Sequence, residues 1–196
     1  MYSSNIVLEI RDISAHQRLG LLNLARFAAE NQINVKREIE KAGTQLLLSR
    51  LLNNAYYDLC YTEHKKPFLR NRTEKISISH SHDILAVLIS QKEETGVDVE
   101  LLRDKVLRVR HKFLNHDEQR FANADITKLI ILWAAKEAMY KVYGRRQLDF
   151  KNHMSVAPFT DDLLEGTLIA EGRNRKFSLK WEKLGNYILV YTLNEI

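Results

Sequence analysis

The last third of the chain carries the pattern that most narrows its fold. Phe177, Leu179 and Trp181 recur at every second position, the period of a half-buried strand. With Glu165 to Ala170 before and Tyr187 to Thr192 after, the stretch Lys176 to Trp181 makes the middle of three antiparallel strands, joined at Glu171-Gly172-Arg173-Asn174 and Leu184-Gly185-Asn186, which have turn chemistry. Upstream the period turns helical over Ile126 to Tyr143, with Asp125 to cap the start and Gly144 to accept the left-handed end. Asn115-His116-Asp117-Glu118 opens a shorter helix, with Asn115 or Asp117 as cap. Before these, Glu93-Glu94-Thr95-Gly96 reads as a turn into a strand at Val97 to Leu101. Strands at Lys75 to Ser79 and Ile84 to Ser90 are expected to join through Ser79-His80-Ser81-His82-Asp83. Toward the amino end a strand is expected at Asn5 to Ile10, then a helix capped near Asp12/Ser14 and carrying Leu19, Leu22, Leu24 and Phe27. A second helix, Val35 to Tyr61, would carry the stripe Leu47, Leu51, Ala55 and Leu59 and stop before His64-Lys65-Lys66-Pro67. Helices and antiparallel strands in both halves make an α+β fold. No sequence repeat relates the halves and no linker divides them, so two closely packed lobes are expected, residues 1–92 and 93–196, with a ligand cleft between them.

At 196 residues the chain can bury a sizeable core, and two prolines and seven glycines leave little room for linkers. Lys+Arg exceed Asp+Glu by 30 − 25 = 5, which favours an acidic or phosphorylated partner. Cys60 is the only cysteine, so no intrachain disulfide can form; within the expected second helix it reads as a packed thiol. Met1 to Asn5 shows no basic segment followed by an apolar stretch, and no run reaches the ~20 apolar residues of a membrane span, so a cytoplasmic chain without membrane partners is expected.

Chemistry concentrates in Gly96-Val97-Asp98-Val99-Glu100 and in Trp133-Ala134-Ala135-Lys136-Glu137-Ala138-Met139-Tyr140-Lys141. Two apart on a strand, Asp98 and Glu100 project from one face. Four apart on a helix, Glu137 and Lys141 share a face, while Lys136 points elsewhere. Oxygen-only ligands suit Mg²⁺, with Mn²⁺ also admissible, and a nearby lysine would neutralise phosphate charge left over by the metal. A solvated strand face, and a helix-surface ion pair worth ~0.2–0.5 kcal/mol, answer to the same spacings.

With these motifs in place, the chain resembles the 4′-phosphopantetheinyl transferase superfamily, in particular its surfactin-type, single-chain members. Lys66-Pro67 resembles a Lys-Pro motif, Ile78-Ser79-His80-Ser81 a Ser-His-Ser motif, and Gly96 to Glu100 a Gly-Ile-Asp-Ile-Glu motif. Trp133 to Lys141 is similar to Trp-x-x-Lys-Glu-x-x-x-Lys, and Phe113 to Glu118 falls where Phe-x-Ser-x-x-Glu is common. The likeness is clear from about Lys65 to Phe150. It implies a pseudo-dimer of two α+β halves related by a pseudo-two-fold, binding coenzyme A between them. The implied reaction moves the 4′-phosphopantetheine arm onto a serine of an acidic apo carrier protein and releases adenosine 3′,5′-bisphosphate.

The resemblance also implies roles. Asp98, Glu100 and Glu137 would hold Mg²⁺, with Glu137 also counted catalytic. Lys141 would bind the donor and stabilise the leaving oxyanion. Ser79 and His80, on a loop between strands, would grip the adenosine end, with His80 near the 3′-phosphate, Lys66 near the nucleotide, and Lys41 or Arg37 as the basic residue of the first half. His82 stands where the family is commonly small. Glu118 is the implied general base, with Glu100 as alternative. Arg145 and Arg146 replace a Lys-Gly pair, and Arg103, Lys105, Arg108 and Arg110 would form a basic rim that steers the carrier. A monomer that binds no nucleic acid is expected.

Two other classes meet the same composition. A metal-dependent nuclease would place its lysine two residues after the strand glutamate, where Leu102 stands. A non-catalytic nucleic-acid-binding module would interleave aromatic and basic residues on a sheet, and it leaves the carboxylates unexplained.

Overall fold

The computed structural model describes residues 7–145 and 148–196, so Met1 to Asn5 and Arg146 lie outside the described residues. Strands β1 (Leu8–Ser14) and β2 (Gln17–Asn23) lead into helices α1 (Leu24–Asn31) and α2 (Lys36–Leu51). A short hairpin follows, β3 (Leu59–Tyr61) and β4 (Pro67–Leu69), then β5 (Lys75–Ser81), β6 (Ile84–Ser90) and β7 (Val97–Leu101). Helices α3 (Lys105–Val109), α4 (His116–Ala122), α5 (Ile126–Tyr143) and α6 (Phe150–His153) come next. The chain ends in β8 (Met154–Val156), β9 (Leu163–Ala170), β10 (Arg173–Leu184) and β11 (Tyr187–Glu195). The first sheet has the order β1-β2-β6-β5 and the second β7-β11-β10-β9-β8, all antiparallel, so the fold is mixed α+β with small antiparallel sheets.

Alternation explains how the layers stack. In β6, Ile84, Ala86 and Leu88 face one way and meet Leu19 and Leu21 of β2, Val97 and Val99 of β7, and Tyr187, Leu189 and Tyr191 of β11. That cluster joins the two sheets face to face. On the outer face of the first sheet, Leu85, Val87 and Ile89 pack with Leu47, Leu48 and Leu51 of α2. On the outer face of the second, Ile188 and Val190 pack with α5. Helix α5 is buried nearly all round, between the sheet and the shorter helices, so it lacks the polar face of a surface helix. Among the described residues, no helix is long and apolar enough to cross a membrane.

Several sequence expectations hold closely. Asp125 caps α5 by accepting the Thr127 and Lys128 N–H groups, and Gly144 ends it at φ 68°. Asn115 caps α4. Others are corrected. The expected helix over Leu19 and Leu22 is strand β2, because these leucines pair and pack against β6; α1 starts later, capped by Asn23. Helix α2 stops at Leu51, since Asn53 and Asn54 take the left-handed conformation that Asn tolerates, so Ala55 and Leu59 leave the stripe. Cys60 therefore lies in strand β3, paired with Phe68, not in a helix. Ser79 and His80 lie within β5, because that strand stays paired with β6 through Ser81; the connecting turn shrinks to His82-Asp83.

Candidate active site

Helix α5 lies along β7. Four residues of helix advance about 6 Å and two residues of strand about 6.6 Å. Trp133, Glu137 and Lys141 can therefore keep step with Glu100 and Asp98. Trp133 Nε1 donates to Glu100 Oε1 at 2.9 Å, and Lys141 Nζ donates to Asp98 Oδ1 at 2.7 Å and to the Val97 carbonyl at 2.9 Å. This close approach needs Gly96. A Cβ there would stand 2.0 Å from the Ala138 carbonyl oxygen, which belongs to helix backbone and cannot rotate away.

The edge of β7 is also held from the other side. Ser77, Ser79 and Ser81 of β5 accept the N–H groups of Val97, Val99 and Leu101 at 3.0, 3.3 and 3.3 Å, so three hydroxyls stitch one sheet to the other. Ser79 Oγ in turn donates to Asp98 Oδ1 at 2.7 Å, and Ser81 Oγ to Glu100 Oε2 at 3.4 Å. Asp98 is 4% exposed, and its Oδ2 is buried without a hydrogen-bond partner.

Three carboxylates therefore face one another's charge. Burial, above all, raises the Glu137 carboxyl to about 7; Asp98 and Glu100 add to this and Lys141 works against it. Burial followed by Asp98 also lifts Glu100, against the bonds from Trp133 and Ser81. Among the described residues no three His, Cys, Asp or Glu side chains form a ready-made cation cage. What fits a hard divalent cation is the donor type and Asp98 Oδ2, a buried carboxylate oxygen that no protein donor reaches among the described residues.

The cleft beside these groups consists of two adjoining cavities. One, of about 190 Å³, has Glu137, Tyr140, Lys141 and Lys66 in its wall; the other, of about 340 Å³, has Tyr61, Ser79, His80 and Lys141. Lys65, Pro67 and Ile78 line both. His80 Nε2 lies 3.2 Å from Glu40 Oε2 of α2, and the neighbouring Lys41 is exposed on that helix, as is Arg37. Lys66 bridges instead of waiting free: its Nζ donates to Glu94 Oε2 at 2.5 Å and to the Val142 carbonyl at 2.8 Å, at the end of α5. His82 faces Arg103 at 3.5 Å. Arg103 and Lys105 border a groove of about 180 Å³ with Val106, Phe113 and Trp133, next to Glu100. Arg108 is exposed and Arg110 half-buried nearby, and Arg145 pairs with Glu171.

Two residues given roles by the resemblance sit in settings the spacing does not reveal. Glu118 is held in a network of its own. It is 3% exposed and forms a capping box with Asn115, with its Oε2 accepting Asn115 N–H at 2.9 Å and Lys136 Nζ at 2.7 Å, and its Oε1 accepting Val156 N–H at 2.9 Å. Ser79 does not offer its hydroxyl from a loop, because that hydroxyl is committed to Asp98 and Val99.

Lys136, which the spacing sets apart from Glu137 and Lys141 without giving it a role, has one in the structure. It is fully buried, and its Nζ also donates to the carbonyls of Phe113, Phe150 and Met154 at 2.7, 3.0 and 3.0 Å. Burial pulls its ammonium down, and Glu118 resists. A charge flanked by Ala134, Ala135 and Ala138 was the available signal. The serine seam was missed as well, though Ser77-Ile78-Ser79-His80-Ser81 alternates openly.

No curated protein matches the chain. A family model described as the 4′-phosphopantetheinyl transferase superfamily matches residues 94–192, from just before β7 into β11, and so takes in Asp98, Glu100, Glu137 and Lys141. With half its length covered by that match, the chain belongs to the 4′-phosphopantetheinyl transferase superfamily, whose common reaction is phosphopantetheine transfer.

Proposed function

We propose that this protein moves the 4′-phosphopantetheine arm of coenzyme A onto a serine hydroxyl of an acidic apo carrier protein and releases adenosine 3′,5′-bisphosphate. In this reading it is a surfactin-type, single-chain member working as a cytoplasmic monomer, with residues 1–92 and 93–196 as two similar lobes related by a pseudo-two-fold. The observation that carries the proposal is the buried, unpartnered Asp98 Oδ2 amid Glu100, Glu137 and Lys141, beside a cleft that also exposes His80. Family membership leaves the nuclease reading without support.

Mg²⁺ or Mn²⁺ held by Asp98, Glu100 and Glu137 would supply Lewis-acid polarisation of the pyrophosphate. Lys141, fixed by Asp98 and the Val97 carbonyl, places its ammonium where charge builds on the departing phosphate oxygen. The proton of the attacking serine passes to a carboxylate of the site, with Glu118 and Glu100 as the candidates. His80, with Lys41 one residue beyond its partner Glu40, marks the end of the cleft that takes the 3′-phosphate. Lys66 contributes to the nucleotide side while holding the end of α5. The groove bordered by Arg103 and Lys105 brings positive charge and apolar floor together next to Glu100, which suits an acidic carrier.

The test is transfer of a fluorescent pantetheine from a coenzyme A analogue to apo carrier protein. Labelling should require the divalent cation and vanish in Asp98→Ala. Undiminished labelling by Asp98→Ala removes the proposed metal site, and plasmid cleavage without labelling would restore the nuclease.

A further inference from the structure

The three serines of β5 perform the same task for the sheet seam but different tasks for the carboxylates. Ser77 Oγ accepts the Val97 N–H and touches no carboxylate, whereas Ser79 Oγ accepts the Val99 N–H and passes its own proton to Asp98 Oδ1 at 2.7 Å. A hydroxyl has one proton to give, so accepting from Val99 directs that proton toward Asp98. Lys141 Nζ reaches the same Oδ1, also at 2.7 Å. Both donors converge on one oxygen, and the other, Oδ2, is left buried and bare.

We propose that Ser79 is a positioning residue that decides which oxygen of Asp98 is available to a divalent cation: by loading Oδ1, it leaves Oδ2 as the free ligand. The inference rests on Asp98 being a cation ligand, as in the proposed function, and adds a role for a hydroxyl that the sequence reading had given to the nucleotide. Without the Ser79 hydroxyl the carboxylate can turn about its last bond, Lys141 can be met by either oxygen, and the ligand is no longer pre-set. Residues that orient metal ligands in this way typically change metal affinity about 10–100-fold when removed. A purely mechanical role in the seam predicts something else: Ser79→Ala and Ser77→Ala, which lose equivalent strand bonds, would behave alike.

The experiment titrates Mn²⁺ into the intact protein, with and without coenzyme A, reading free Mn²⁺ by electron paramagnetic resonance, and follows thermal unfolding of the same samples. Ser79→Ala should weaken Mn²⁺ binding about tenfold. Ser77→Ala should stay within about twofold of wild type, with a similar fall in unfolding temperature, and Ser79→Thr, which keeps the hydroxyl, should recover most of the affinity. If Ser79→Ala fails to fold, Ser79→Cys gives the same comparison with a weaker donor of similar size. Equal Mn²⁺ affinities in the Ser77 and Ser79 variants overturn the proposal and leave the proposed function standing. A wild-type protein that binds no Mn²⁺ in either condition overturns both.

Discussion

Replacing Lys136 by methionine removes a fully buried charge. The variant keeps roughly the length and volume of the side chain but removes the ammonium whose three N–H groups are shared among four acceptors, Glu118 Oε2 and the carbonyls of Phe113, Phe150 and Met154. Glu118 keeps the N–H groups of Asn115 and Val156 but loses its counter-charge in a site where it is 3% exposed. Stranding one partner of a buried ion pair costs about 3–5 kcal/mol. Three carbonyls left without a donor push Lys136→Met toward the upper end. For a chain of this size each kcal/mol lowers the unfolding temperature by about 2–4 °C, so a fall of roughly 6–20 °C is expected. Glu118→Gln alone should also be costly, because it strands the ammonium. The double variant, with no charge left behind, should be more stable than the sum of the single losses predicts, with a coupling of about 0.5–3 kcal/mol. Urea unfolding of the four proteins measures the cycle. Lys136→Met within about 1 kcal/mol of wild type, or strict additivity, refutes the ion-pair account. The same proteins test whether Glu118 serves the ion pair or the reaction. In the folded state Glu118→Gln should keep transfer activity to within about tenfold, whereas loss of a true general base typically costs 10²–10⁴.

Other outcomes follow from the same geometry. In cation-free protein Glu137 is raised from 4.5 to about 7, so the folded state holds this proton more tightly than the unfolded chain. Its contribution to stability is then full below pH 4.5 and lost as pH climbs through 7, a swing of about 3 kcal/mol. Glu137→Gln cannot ionise, so it should exceed wild type by up to about 3 kcal/mol at pH 8 but by under about 1 kcal/mol at pH 5; thermal melts with parallel pH profiles for the two proteins would contradict this. Gly96→Ala must push α5 off β7 through the Ala138 carbonyl and should destabilise by about 1–3 kcal/mol or more, read as a lowered urea midpoint; an unchanged midpoint would show that the helix has room to shift.

The sequence by itself determined the parts whose bonds close locally. Asp125 with its two N–H groups, Asn115 with Glu118, the left-handed Gly144, and the same-face pair Asp98 and Glu100 depend on neighbours a few residues away, and periodicity reveals them. The tertiary structure decided whatever depends on distant partners. Leu19 and Leu22 became strand because β6 lies beside them, although their spacing suits a helix equally well. Lys136 took acceptors from segments 14 to 23 residues away, which turned a motif lysine into a strut and paired it with Glu118. Ser79 met Asp98 across a seam of two sheets, 19 residues apart in the chain. Spacing along a strand or helix can say which side chains share a face. Which donor meets which oxygen is set by the packing of one layer on another, and that is what leaves Asp98 Oδ2 without a protein partner.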